Sequence, residues 1–147
     1  MASKASIAGH PIHPLLVGFP IGLWTTSLAM DVWFYFQVNV TWLVVSKFLI
    51  AAGCIGAIAA AVPGIIDWLA IKDEPVKKVA NWHARLNIIA LVLFLINLYF
   101  RTHAGGHLVG HRLIVPFLMS LVGVGLIGVS GWLGGELVFR YGVGREG

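Results

Sequence analysis

The stretch LIVPFLMSLVGVGLIGVSGWL, Leu113 to Leu133, contains no charged side chain. A helix rises about 1.5 Å per residue, so this run covers about 30 Å, the thickness of a bilayer's hydrocarbon core. Three further runs read the same way: Leu15 to Phe36, Trp42 to Ile66 and Ala84 to Phe100, each with a single Asp, Lys or Arg. None shows the alternation of a membrane barrel wall. Across all 147 residues, 59% are hydrophobic and 11% charged, with mean hydropathy +0.89. Soluble domains carry roughly 25% charged residues, and a soluble fold this small could not hide so much apolar surface. Disorder is excluded on the same ground. The reading is one all-α integral membrane domain over residues 1–147, an up-down four-transmembrane-helix bundle with short connections.

Charge orients the bundle. Lys4, Lys72, Lys77, Lys78, Arg85, Arg140 and Arg145 fall at one end, and Lys47, Arg101 and Arg112 at the other. By the positive-inside rule, seven against three predicts both termini in the cytoplasm. Trp33, Tyr35, Trp42 and Tyr99 then mark the outer boundary, and Trp68, Trp82 and Trp132 the inner one. The net charge of +4 is dispersed in short clusters between apolar runs, which suits lipid headgroups and not nucleic acid. The first run follows Lys4 but exceeds the roughly 7–15 residues of a signal-peptide core, so it is expected to be retained. The lone Cys54 can form neither an intrachain disulfide nor a thiolate metal site.

Small residues mark helix contacts. Gly18 with Gly22, Gly53 with Ala57, and Gly131 with Gly135 are small-xxx-small pairs that let backbones approach in lipid. The fourth span holds Gly123, Gly125, Gly128, Gly131, Gly134 and Gly135, which serve either tight packing or room for a planar cofactor. No internal repeat stands out along the sequence.

Ionisable groups at membrane depth are costly and tend to face the protein interior. At the inner end, Pro11 and Pro14 are expected to hold His10 and His13 outside regular helix, with Asp67 ending the second span, His83 opening the third and Glu136 ending the fourth. Two readings stay open. One is a capping network in which Asp67 pairs with Arg85 or His83, His13 caps the first helix, and Glu136 pairs with Arg140. The other is a metal or haem site with His13 and His83 as ligands, His10 as substitute, Asp67 as a further metal donor, and Arg85 or Lys78 meeting propionates. At the outer end, His103, His107 and His111 are spaced by four, which on a helix would form one metal-binding stripe; Gly105 and Gly106 argue for a solvated loop instead. Asn87 and Asn97 are helix-joining amides, and Asp31 is expected to pair with Lys47. No catalytic serine, phosphate loop or carboxylate pair is present, so no catalytic residue is assigned and enzymatic activity is not favoured.

Several segments together carry a resemblance: Gly9-His10-Pro11-Ile12-His13-Pro14 through Gly22, with Asp31; Pro63-Gly64-Ile65-Ile66-Asp67-Trp68; His83 with Leu86-Asn87; and Gly134-Gly135-Glu136, with Tyr141-Gly142-Val143-Gly144. The chain resembles, over nearly its whole length, the bacterial membrane family catalogued as domain of unknown function 2231. The resemblance implies four helices in a bacterial inner membrane. Relatives joined to Rieske or cytochrome c domains imply a redox neighbourhood. His103, His107 and His111 match no motif of the family. The expected function is a multi-pass redox subunit binding haem b or another metal through inner-face histidines for electron transfer. The alternative is a cofactor-free structural or accessory subunit, and a third, weaker reading is a solute carrier. Homo-oligomerisation or membership of a larger redox complex is expected in either of the first two cases.

Overall fold

The computed structural model describes residues 2–103 and 113–145. Four helices, α1 (Ile12–Gln37), α2 (Thr41–Ala70), α3 (Glu74–His103) and α4 (Ile114–Gly135), are each long and apolar enough to cross a membrane. A wider π-helical turn, Glu136–Arg140, continues α4. Ahead of α1, β1 (Ser6–Ile7) and β2 (His10–Pro11) pair antiparallel around Ala8 and Gly9, both with positive φ. The helices overrun the apolar runs, most of all at α3, which begins ten residues before Ala84 with Glu74 in its first turn, where a carboxylate is favoured by the helix dipole. His13 accordingly lies in the first turn of α1 and His83 well inside α3, contrary to the expectation that prolines hold His13 outside the helix. Pro14 is tolerated there because first-turn N–H groups have no helical partner.

Each helix packs against its sequence neighbours, and α1 packs against α4, leaving α1 and α3 diagonal. Their longest inward side chains meet on the bundle axis. Trp24 of α1 stacks on Phe94 of α3 with ring centroids 4.2 Å apart and planes 13° from parallel. These rings join Ile50, Cys54, Ala90 and Ile127 in the central core.

The residues meeting on the axis stand in register. His13 faces His83, Trp24 faces Phe94 and Asp31 faces Arg101, and each pair is 70 residues apart. The same offset relates Gly53, which lies under Trp24, to Gly123, which lies under Phe94. It relates Gly64, beneath His13, to Gly134, beneath His83. Buried positions follow it as well: Pro20 and Ala90, Ser27 and Asn97, Leu43 and Leu113, Ile50 and Ser120, Ala60 and Ser130. The protein is therefore two similar helical hairpins, α1–α2 and α3–α4, arranged about an approximate two-fold axis along the bundle. The absence of a visible repeat in the sequence is corrected by this geometry. Parallel repeats of this kind place both hairpins in the same sense across the membrane.

Candidate functional site: two imidazoles on the bundle axis

At the end of the bundle where α1 and α3 begin, the His13 and His83 rings stand 6.1 Å apart with planes at 88°. Each is anchored by the neighbouring helix of its own hairpin. His13 Nδ1 bonds the carbonyl of Ala60 at 2.8 Å, and His83 Nδ1 bonds the carbonyl of Ser130 at 2.8 Å. A carbonyl only accepts, so both Nδ1 atoms carry the proton and both Nε2 atoms are left as bases. Glycine makes this possible. A Cβ on Gly64 would lie 2.7 Å from His13 Nδ1, and one on Gly134 would lie 3.2 Å from His83 Cε1.

The two rings are not equivalent. The Asn87 amide donates to His83 Nε2 at 3.1 Å and to the His83 carbonyl at 2.9 Å, while Ser130 Oγ lies 3.0 Å from His83 Nδ1. The position matching Asn87 in the first hairpin is Val17, which has no amide to offer.

Asp67 takes no part in this pair. Its carboxylate accepts from Ser3 Oγ at 2.8 Å, from the Lys4 amide at 2.8 Å and from the Ala5 amide at 3.2 Å. It latches the N-terminal strap, and its pairing with Arg85 or His83 is corrected on that account. Main-chain N–H groups of an extended segment are ready donors, and three of the four hydrogen bonds use one carboxylate oxygen. No group of three or more His, Cys, Asp or Glu side chains converges on a metal position among the described residues. His10 is exposed at the start of β2, with Nδ1 2.9 Å from the Ala8 carbonyl. Arg85 is exposed on the outer face of α3, over the Trp82 ring. Glu136 pairs with Arg140 at 3.2 Å, as the capping reading expects.

The opposite end of the axis holds a charge cluster that the sequence reading paired wrongly. Arg101 grips Asp31 with two hydrogen bonds of 2.8 and 2.6 Å, and both side chains are almost wholly buried. Arg101 also donates to Asn97 Oδ1 and Ser46 Oγ, and Asn97 donates to the Pro116 carbonyl and Ser120 Oγ. The Asp31–Lys47 pairing is thus replaced: Lys47 lies over the Phe48 ring instead. A guanidinium offers a planar fork that matches both carboxylate oxygens, which an ammonium does not. His103, the last residue of α3, stacks on Tyr99 and bonds its carbonyl at 3.0 Å, while His107 and His111 lie outside the described residues.

Comparison with protein families matches residues 9–147 to the family described as predicted membrane protein, DUF2231. The chain belongs to this family. No curated protein and no solved structure matches it. Family membership and four membrane-length helices make this a membrane protein in contact with lipid. The family's matched segment takes in both hairpins and both axial histidines.

Proposed function

We propose that this DUF2231 protein is a multi-pass redox subunit of the bacterial inner membrane whose His13 and His83 ligate a haem b iron or a comparable metal. The observation that carries the reading is the paired imidazoles, each with its Nδ1 proton committed to a carbonyl. Metal-ligating histidines nearly always have this arrangement, because it fixes the tautomer and makes Nε2 more basic. Metal–nitrogen bonds are about 2 Å long, so two imidazoles sharing one ion stand about 6 Å apart between ring centres, close to the spacing seen. With only two such donors at hand among the described residues, a bare ion that needs three or four protein ligands is poorly served. Haem would need few ligands from the protein, and His13 and His83 would hold it. When bound, it would supply one-electron chemistry. The chain's own contribution would be ligand orientation and a low-dielectric surround. Reaching His83 requires Asn87 to give up its bond to Nε2.

A second reading has its own support. His13 is anchored to the Ala60 carbonyl and His83 to Ser130 and Asn87, and the two rings meet edge-on, so together they form a latch that holds the hairpins without a cofactor, as a structural or accessory subunit would need. The visible absorption spectrum and the haem and metal content of wild type, beside His13→Ala and His83→Ala, separate the two. The redox reading expects stoichiometric haem or metal in wild type and its loss in both variants. A well-folded wild type free of both leaves the latch.

Association with a second copy or a larger redox complex is part of the proposal. Gly18 and Gly22 on α1, and Gly125 and Gly128 on α4, meet nothing within 4 Å of where a Cβ would sit, so their small faces remain for another helix. Gly22→Ile should weaken that association in mild detergent, read by light scattering. Unchanged mass in the variant, or a monomeric wild type across several detergents, would count against it.

A further inference from the structure

We propose that the outer face of α3 carries a phospholipid site, with Lys78 and Arg85 holding the phosphate and a stripe of exposed isoleucine and valine side chains holding an acyl chain. An open hollow of about 700 Å³ is lined by Glu74, Pro75, Lys78, Asn81, Trp82 and Arg85. Lys78, Trp82 and Arg85 are all exposed and fall on one face of the helix, at spacings of four and three. The same face continues as Ile89, Val92 and Ile96, which are 53, 48 and 44% exposed. The two cations, with an interfacial indole between them, thus precede an apolar track, the order in which a membrane lipid presents its phosphate and then its acyl chain. The Arg85 guanidinium lies over the Trp82 ring, which holds its charge at the interface.

Charge places the phosphate within the hollow. Lys78 and Arg85 are about 10 Å apart along the helix, a span that two long side chains close around one phosphate. Glu74 sits one turn beyond Lys78 and repels an anion, so the phosphate settles on the Arg85 side, nearer the apolar stripe. Asn81 Oδ1 is already engaged by the Trp68 indole, which leaves the amide NH₂ to the hollow. The inference is independent of the histidine pair, since neither His13 nor His83 lines this hollow.

The test is retention of phosphatidylglycerol by the full-length protein, followed by native mass spectrometry during delipidation in mild detergent. Wild type is compared with the double variant K78Q/R85Q and with R85Q alone, the latter matched in charge by K47Q as a control at the other end of the bundle. Each basic residue near a headgroup counts substantially, so retention in the double variant should fall roughly tenfold or more while K47Q stays at the wild-type level. Thermal melting of every variant in detergent checks that folding is intact; a melted double variant is replaced by R85Q alone, for which a several-fold loss is expected. Equal retention in wild type and variant, or an equal loss in K47Q, overturns the site. Displacement of the lipid by millimolar inorganic phosphate also overturns it, by showing an anion site with no preference for lipid.

Discussion

At the scale of single residues, the most consequential contact is Asp31 with Arg101. Two charges removed from water carry a large desolvation cost, and their attraction offsets it only when the geometry is good and the remaining donors are satisfied. Here the pair is bidentate, and Asn97, Ser46 and Ser120 take further guanidinium N–H groups. Removing one partner strands the other in a nearly dry core. Arg101→Leu should therefore cost about 3–5 kcal/mol, measured by equilibrium unfolding in mixed micelles. Lys47→Ala, which loses the approach of an ammonium to the Phe48 ring, should stay within about 1 kcal/mol of wild type. Equal costs for the two variants would restore the Asp31–Lys47 pairing. Sequence alone pointed to Asp31 as a buried charge because an acid in a span is expensive. It misassigned the partner because Lys47 is near along the chain, whereas Arg101 is near only once α1 and α3 lie diagonally across the axis.

At the scale of elements, the glycines separate into two populations that composition cannot distinguish. Gly53 and Gly123 are inward: an added Cβ would come within 2.4 Å of Trp24 and 2.6 Å of Phe94. Gly125, Gly128 and Gly131 meet nothing within 4 Å. The glycines of α4 thus make room for an aromatic side chain of α3 and for the His83 ring, so close packing accounts for Gly123 and Gly134. Gly123→Ala should destabilise by about 1–3 kcal/mol through overpacking, since a stacked aromatic pair cannot shift without disturbing Trp24 as well. Gly125→Ala should be neutral or slightly stabilising, because alanine is the better helix former and open space receives its methyl group. Thermal melting of the two variants in one detergent checks the contrast, and similar shifts would refute it. Helix positions were readable from hydrophobic length, although their ends were not. Amphipathic turns such as Glu74 to His83 continue a helix beyond the apolar run, held by contacts such as Trp68 with Asn81.

At the scale of the whole molecule, the bundle is a pair of hairpins whose equivalent residues meet on one axis. The repeat is hard to see in the sequence because what recurs is position and depth, while chemistry has diverged. Tryptophan is matched by phenylalanine, aspartate by arginine, serine by asparagine and proline by alanine. Histidine is kept at both ends of one pair, and glycine beneath each ring, which is where identity between the halves is most telling. Parallel hairpins impose a topology: the strap before α1, the α2–α3 connection and the tail after α4 share one side, and the α1–α2 turn lies on the other. By the positive-inside rule, the basic asymmetry of seven against three predicts that the first group faces the cytoplasm. Single cysteines test this in a Cys54→Ala background, with Lys72→Cys, Arg145→Cys and Val40→Cys probed by a membrane-impermeant maleimide. Val40 is 61% exposed in the turn and should react in intact cells, whereas positions 72 and 145 should react only after permeabilisation. Reaction of 72 and 145 from opposite sides would break the parallel-hairpin arrangement itself. Reaction of both from outside, with 40 protected, would keep the hairpins and reverse the membrane, placing the paired imidazoles at the outer surface.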